Sequence, residues 1–139
     1  MSEVRPATNA DASRVYELAA MMALSFTVEA EAFQRSFDAV LANPDAHLLV
    51  AVAEGCVAGY LLGFQHLTFN ANGAVGWVEE IAVDAELRRR GLGRLLMAEF
   101  ERRTRANGCR LIALATTRAG AFYASIGYEH RAAYYHKLL

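Results

Sequence analysis

Proline, cysteine and lysine are nearly missing from this chain, and each scarcity removes a class of protein. Pro6 and Pro44 are the only prolines, and no Pro/Gly/Ser-rich tract or internal repeat marks a linker, so residues 1–139 read as one domain. Cys56 and Cys109 are too few and too far apart for a disulfide framework or a thiolate metal site, and they read as reduced thiols. The four histidines show no metal-ligand spacing, so no metal is expected. No apolar run approaches the roughly 20 residues of a membrane span. Met1 to Ala10 carries charges and a proline but no signal-peptide core, so the expected location is cytoplasmic, with no membrane partner. Lysine occurs once, at Lys137, and the formal net charge is −1, which leaves no overall field to attract nucleic acid.

What the chain does have is apolar residues in quantity. At 55% hydrophobic and 21% charged, it can bury a full core and is not a disordered segment. The patterning divides into elements. Residues 2–6 look like a strand ending at Pro6. Asn9 or Asp11 can cap a helix whose Val15, Leu18, Ala19 and Met22 recur at helical spacing. After Leu24-Ser25-Phe26, Thr27 can cap a second helix with an apolar stripe of Phe33, Phe37, Val40 and Leu41, closed by Asn43-Pro44-Asp45. The period then changes to two. His47–Ala53 and Cys56–His66 are apolar runs joined by Glu54-Gly55, a hairpin signal, and a loop at 67–74 leads to a third strand, Val75–Val83. A helix from Gly91 turns Leu92, Leu95, Leu96 and Phe100 inward and closes at Asn107-Gly108. Leu111–Ala115 reads as a buried strand. A short helix with Phe122 and Ile126 stops at Gly127, and Tyr128–Glu129 and Ala132–Leu138 read as final strands. The expected fold is α+β: a mixed, mostly antiparallel central sheet flanked by helices.

Charge is concentrated in one place. Arg88, Arg89, Arg90, Arg94, Arg102, Arg103 and Arg105 crowd the region where the strand ending Glu79-Glu80-Ile81-Ala82-Val83 passes through a glycine turn into a helix. Arg102, Arg103 and Arg105 read as a solvated helix face. The arginines beside Gly91 and Gly93 sit where a helix N-terminus offers unpaired N–H groups and positive potential, a seat for a pyrophosphate. Two familiar phosphate motifs do not fit. No lysine follows the glycines as a P-loop requires, and Leu96 stands where the dinucleotide fingerprint needs a small residue.

Arg88-Arg89-Arg90-Gly91-Leu92-Gly93 matches the Arg/Gln-x-x-Gly-x-Gly/Ala cofactor motif of the GNAT family of N-acetyltransferases. Phe122-Tyr123-Ala124-Ser125-Ile126-Gly127-Tyr128 resembles the family's later Phe-Tyr-x-x-x-Gly-Phe/Tyr pattern. The order of elements is also the family's, so the resemblance spans essentially the whole chain. It implies transfer of an acetyl group from acetyl-CoA to a primary amine of a small molecule or peptide, directly within a ternary complex. A non-catalytic acyl-CoA-binding sensor is the alternative. The resemblance further implies that backbone groups of Ile81, Ala82 and Val83 pair with the pantetheine arm like an added strand, and that Arg88 to Arg94 wrap the pyrophosphate. Where many members carry an asparagine at the end of the fifth strand this chain has Thr116, so Thr116 or Thr117 is left to make that cofactor contact.

Acetyl transfer needs a base for the protonated amine, an N–H donor for the oxyanion and an acid for the departing thiolate. Glu79 is the candidate base, directly or through a water: strand alternation places it with Ile81 and Val83 and turns Glu80 the other way, unless a bulge changes the parity and brings in Glu80. Tyr123 is the candidate acid, turned toward a groove beside the sheet while Phe122 and Ile126 take the core side. The N–H of Ala82 or Ile81 is the candidate oxyanion donor. The resemblance places the acceptor near residues 22–31 and 66–73. Glu29 and Glu31 there suit a cationic amine, and Phe26, His66 and Phe69 suit its apolar part. It also implies a homodimer through the C-terminal strands, for which Ala132-Ala133-Tyr134-Tyr135 offers apolar material.

Overall fold

The structure is a computed structural model that describes residues 1–23 and 25–139; Leu24, expected in the turn between the first two helices, lies outside the described residues. The elements are β1 (Ser2–Pro6), a short 3-10 turn (Asn9–Asp11), α1 (Ala12–Met22), α2 (Ala30–Ala42), β2 (Ala46–Ala53), β3 (Cys56–Thr68), β4 (Gly73–Val83), a second 3-10 turn (Ala85–Leu87), α3 (Leu92–Ala106), β5 (Ile112–Leu114) and α4 (Gly120–Ser125). The strands form one sheet in the order β1-β2-β3-β4-β5. The first four are antiparallel. β5 joins β4 in parallel, after the crossover through α3. The expected mixed, mostly antiparallel sheet flanked by helices is what the chain forms.

The period-two pattern of β2 explains the two layers. Leu49, Ala51 and Ala53 face α3, packing with Leu92, Leu96, Met97 and Phe100. Leu48 and Val50 face α1 and α2, packing with Val15, Leu18 and Phe37. Two glycines let α3 come close to the sheet. A Cβ at Gly63 would lie 2.6 Å from the Phe100 ring, and one at Gly76 would lie 3.3 Å from both Phe100 and Thr104. At the start of α1, the buried carboxylate of Asp11 accepts from Thr8 N–H at 2.8 Å and from both terminal nitrogens of Arg5. The chain thus enters the helix from β1 through a charge-assisted clamp.

Three expectations are corrected. The second helix starts at Ala30 with Glu29, whose backbone is extended, in the cap position, not after Thr27; residues 25–29 lie outside the helix and line the groove described below. β3 runs on to Thr68 and β4 starts at Gly73, so the loop between them is shorter than 67–74. The strands at Tyr128–Glu129 and Ala132–Leu138 are absent: no helix or strand follows α4, and Tyr134, Tyr135 and Leu138 are exposed. A strand exists by virtue of a ladder partner, and no such partner is present for this segment in a single chain.

Candidate active site

β4 and β5 pair only through Gly76–Val78 and Ile112–Leu114, yet β4 continues to Val83. Beyond Val78 the two strands part, and a groove of about 1560 Å³ opens there. Its walls are β4 from Trp77 to Val83, the segment from Leu114 to Ala119, the turn before α3, α4, and the residues leading into α2. The edge of β4 that faces away from β3 is therefore available to a ligand from Glu79 onward. This is the geometry of strand addition.

The turn before α3 is shaped by two left-handed residues. Arg89 has φ of 69° and Gly91 has φ of 78°. Alternation of ordinary and left-handed backbone turns successive N–H groups to one side, forming an anion nest at the start of α3, whose N-cap is Gly91. Nothing lies within 4 Å of where a Gly91 Cβ would stand, so the space beside Gly91 at the start of α3 is open. Gly93 is small for another reason as well: its Cβ would press on the Phe122 ring at 3.3 Å, and α4 seats there. The nest, the helix terminus and the arginines fit a diphosphate, and the free β4 edge fits an amide-bearing arm. Together they suit acetyl-CoA.

All but one of the expected catalytic and cofactor-binding residues line the groove. Glu79, Glu80, Ile81, Ala82, Val83, Arg88, Arg89, Gly91, Leu92, Gly93, Arg94, Thr116 and Tyr123 do so. Arg90 does not: it turns to the β2–β3 hairpin and pairs with Glu54 at 3.2 Å. Of the acceptor-side residues, Phe26 and Glu29 line the groove, whereas Glu31, His66 and Phe69 do not. His66 pairs with Val75 near the far end of the sheet, because the long β3–β4 ladder carries that loop away from the point where β4 and β5 separate.

Parity along β4 is broken by a bulge. Leu62 pairs with Glu80 and Gly63 with Val78, which leaves Glu79 as the extra residue. Val78, Ile81 and Val83 pack on the α3 side, three apart across the bulge and then two. Simple alternation of Glu79 with Ile81 and Val83 therefore fails. Glu79 is exposed and accepts from the Trp77 indole N–H at 3.2 Å. Glu80 is half-buried and accepts from the hydroxyl of Tyr60 at 2.7 Å. Tyr60 is 1% exposed, and burial together with the Glu80 carboxylate pushes its phenol far above the ordinary tyrosine value, so it remains a donor.

Phe122 and Ile126 pack against the core and Tyr123 lines the groove, as expected, but Tyr123 is itself the buried residue of α4 rather than turned away from the core. Because the groove cuts into the core between the parted strands, a residue on its wall is also a core residue. Burial raises the Tyr123 pKa, and its hydroxyl has no hydrogen-bond partner among the described residues. Its ring is held edge-on between Phe122 and Tyr128, at 5.0 and 6.0 Å between centroids, and the Tyr128 hydroxyl is anchored on Glu101 at 2.7 Å. Thr116 lines the groove while its hydroxyl accepts from Ala119 N–H at 3.0 Å, shaping the entry to α4. Among the described residues no group of three or more His, Cys, Asp or Glu side chains is placed to hold a metal, and no helix is long and apolar enough to cross a membrane.

Sequence reasoning missed Tyr60. It reads as one more apolar strand residue, and only the register of β3 on β4 sets it beside Glu80. It also missed Trp77 and the Arg14–Asp84 pair, for which local sequence offers no signal.

Fold and groove together are those of an N-acetyltransferase that works on an acyl-CoA donor. Residues 4–128 match the model of the Acetyltransferase (GNAT) family, and the chain belongs to that family, which uses acetyl-CoA. It is 31% identical over 133 residues to the aminoalkylphosphonate N-acetyltransferase of Salmonella typhimurium, covering 91% of this chain and 84% of that one. It is 33% identical over 135 residues to glucosamine 6-phosphate N-acetyltransferase 1 of Oryza sativa subsp. japonica, covering 92% and 81%. Among solved structures, the glucosamine-6-phosphate N-acetyltransferase of Arabidopsis thaliana superposes with a TM-score of 0.87 at 22% identity, over 99% of this chain and 98% of that one. These relatives are enzymes, and catalytic acetyl transfer is favoured over a non-catalytic sensor.

Proposed function

We propose that residues 1–139 act as one cytoplasmic N-acetyltransferase domain that moves the acetyl group of acetyl-CoA onto the primary amine of a small molecule that also carries a phosphonate or phosphate. The observation that carries the transfer is the parting of β4 from β5, which leaves a free strand edge running from two carboxylates toward the nest at Arg89–Gly91. The acceptor class rests on the two relatives, whose named substrates, an aminoalkylphosphonate and glucosamine 6-phosphate, share an amine and a phosphorus oxyanion.

In this reading the nest and Arg88, Arg89 and Arg94 hold the pyrophosphate, and Ile81 to Val83 align the pantetheine arm. The carboxylate pair at the bulge accepts the proton of the ammonium group. The freed amine attacks the thioester carbonyl while a strand N–H of Ala82 or Ile81 faces its oxygen. As the carbon–sulfur bond breaks, Tyr123 gives its proton to the sulfur. The phenol carries its proton at neutral pH, as tyrosine ordinarily does, and burial shifts it further in that direction. Glu29 at the mouth of the groove attracts the cationic amine. No metal, nucleic acid or membrane takes part. Two copies pair through residues 128–139, whose exposed Tyr134, Tyr135 and Leu138 have no cover in the single chain.

Matched acceptors test the reading. With saturating acetyl-CoA, kcat/KM is measured for glucosamine 6-phosphate against glucosamine and for 2-aminoethylphosphonate against ethylamine. The phosphorus-bearing member of at least one pair is expected to be strongly preferred; equal use of both members in both pairs would overturn the acceptor class.

A further inference from the structure

We propose that Tyr60 is a positioning residue that selects Glu80, of the two carboxylates at the bulge, as the base that deprotonates the acceptor amine. The proposal rests on the acetyl-transfer reading above and names which oxygen does the work.

Three observations converge on it. First, the two glutamates differ in setting although they are neighbours. Glu79 is exposed and shares only a longer contact with the Trp77 indole, whereas Glu80 is half-buried and takes a short bond from a buried phenol. Second, Tyr60 spends its one polar atom on this contact. It is otherwise enclosed by apolar groups of the α1/α2 layer, among them Val15, Leu18 and Phe37, and no further side chain bonds its hydroxyl among the described residues. A phenol so buried would lose solvation without a partner, so the pair is mutually required. Third, the bond engages Oε1 of Glu80 and leaves Oε2 without a protein partner among the described residues, on a residue that lines the groove.

The consequence is geometric. A carboxylate on an exposed strand samples many rotamers, and a base is effective when its accepting oxygen is held in place. Tyr60 fixes one oxygen and so fixes the other. Glu80 takes the proton from the ammonium on Oε2, directly or through one water, and the Tyr60 proton stays on the phenol. The bulge at Glu79 makes this arrangement available, because it sets Glu80 diagonally across from Tyr60 on the face opposite Ile81 and Val83.

The test is a double-mutant cycle of Y60F and E80Q, with E79Q alongside, reading kcat, the acceptor KM and the acetyl-CoA KM. Tyr60→Phe keeps the ring and its packing and removes only the hydroxyl. In the wild-type background it is expected to lower kcat by about 10–100-fold, the equivalent of one hydrogen bond to a charged group, with the acetyl-CoA KM unchanged. In the E80Q background it is expected to change the residual rate little, because its effect passes through Glu80. An equal fold-loss in both backgrounds would reduce Tyr60 to a packing role and overturn the proposal, as would an unchanged kcat in Y60F. If E79Q abolishes turnover and E80Q does not, the base is Glu79 and the proposal fails while acetyl transfer stands. If both glutamine variants retain wild-type kcat, the carboxylate-pair reading fails with it.

Discussion

Arg14 on α1 pairs with Asp84, the residue just after β4, and its Nε also donates to the carbonyl oxygen of Val57 on β3 at 2.9 Å. Asp84 in turn accepts from Glu86 N–H at 2.9 Å and donates its own N–H to Ala58 at 2.8 Å. The start of the phosphate turn is thereby tied to a helix on the opposite face of the sheet. Arg14→Ala is expected to loosen residues 84–91 and raise the acetyl-CoA KM several-fold, with kcat at saturation nearly unchanged. The Glu86 N–H, and then Arg14, hold the Asp84 carboxyl below its usual range. The tie is therefore complete above the ordinary carboxylate range and is lost only as pH falls below it. Steady-state kinetics against acetyl-CoA check the KM effect.

Two adjacent arginines are expected to behave differently. Arg89 lines the groove and holds a left-handed backbone, whereas Arg90 is drawn off to Glu54. Arg89→Glu places a negative charge at the nest, and acetyl-CoA affinity is expected to fall about tenfold or more, on the scale of a lost charged hydrogen bond. Arg90→Glu is expected to have the smaller effect, although the sequence alone assigns both to the pyrophosphate. Calorimetric titration of acetyl-CoA into the two variants makes the comparison.

Removing the Tyr123 hydroxyl separates binding from chemistry. Tyr123→Phe leaves the packing against Phe122 and Tyr128 in place and is expected to lower kcat by about 10²–10⁴-fold while acetyl-CoA binding is retained. Burial raises the phenol's pKa, so its acid form persists past the ordinary tyrosine value of about 10. No loss of kcat assignable to Tyr123 is expected below that pH. A pH–rate profile of the wild type and the variant checks both points.

Gly63 gives a stability prediction independent of catalysis. A methyl group there would stand 2.6 Å from ring atoms of Phe100, which is fully buried and backed by the sheet. Gly63→Ala is expected to destabilise by about 1–3 kcal/mol, the usual cost of overpacking. Urea denaturation with an unchanged m-value would report it.

What was legible in the sequence was local. Alternation in His47–Ala53, helical spacing from Leu92 to Phe100, and glycines among arginines at Arg88–Arg94 each state their structure within a few residues, and those elements form where expected. What was not legible depended on partners distant in sequence. Tyr60 meets Glu80 only through the β3–β4 register, and the bulge at Glu79 has no signature of its own in an apolar strand. Arg90 is diverted by Glu54 on a hairpin far away in the chain. His66 and Phe69 fall at the other end of the sheet because the β3–β4 register sets His66 beside Val75, away from the point where β4 and β5 part. The C-terminal residues have strand composition but no ladder partner in one chain, and composition alone does not supply one.

The most direct test of the central claim is release of free CoA thiol from acetyl-CoA by the purified chain, with and without 2-aminoethylphosphonate or glucosamine 6-phosphate. The account predicts release that depends on the amine and yields the N-acetylated product in equal amount. Acetyl-CoA binding, measured on the same sample, with no amine-dependent release from either compound would contradict it.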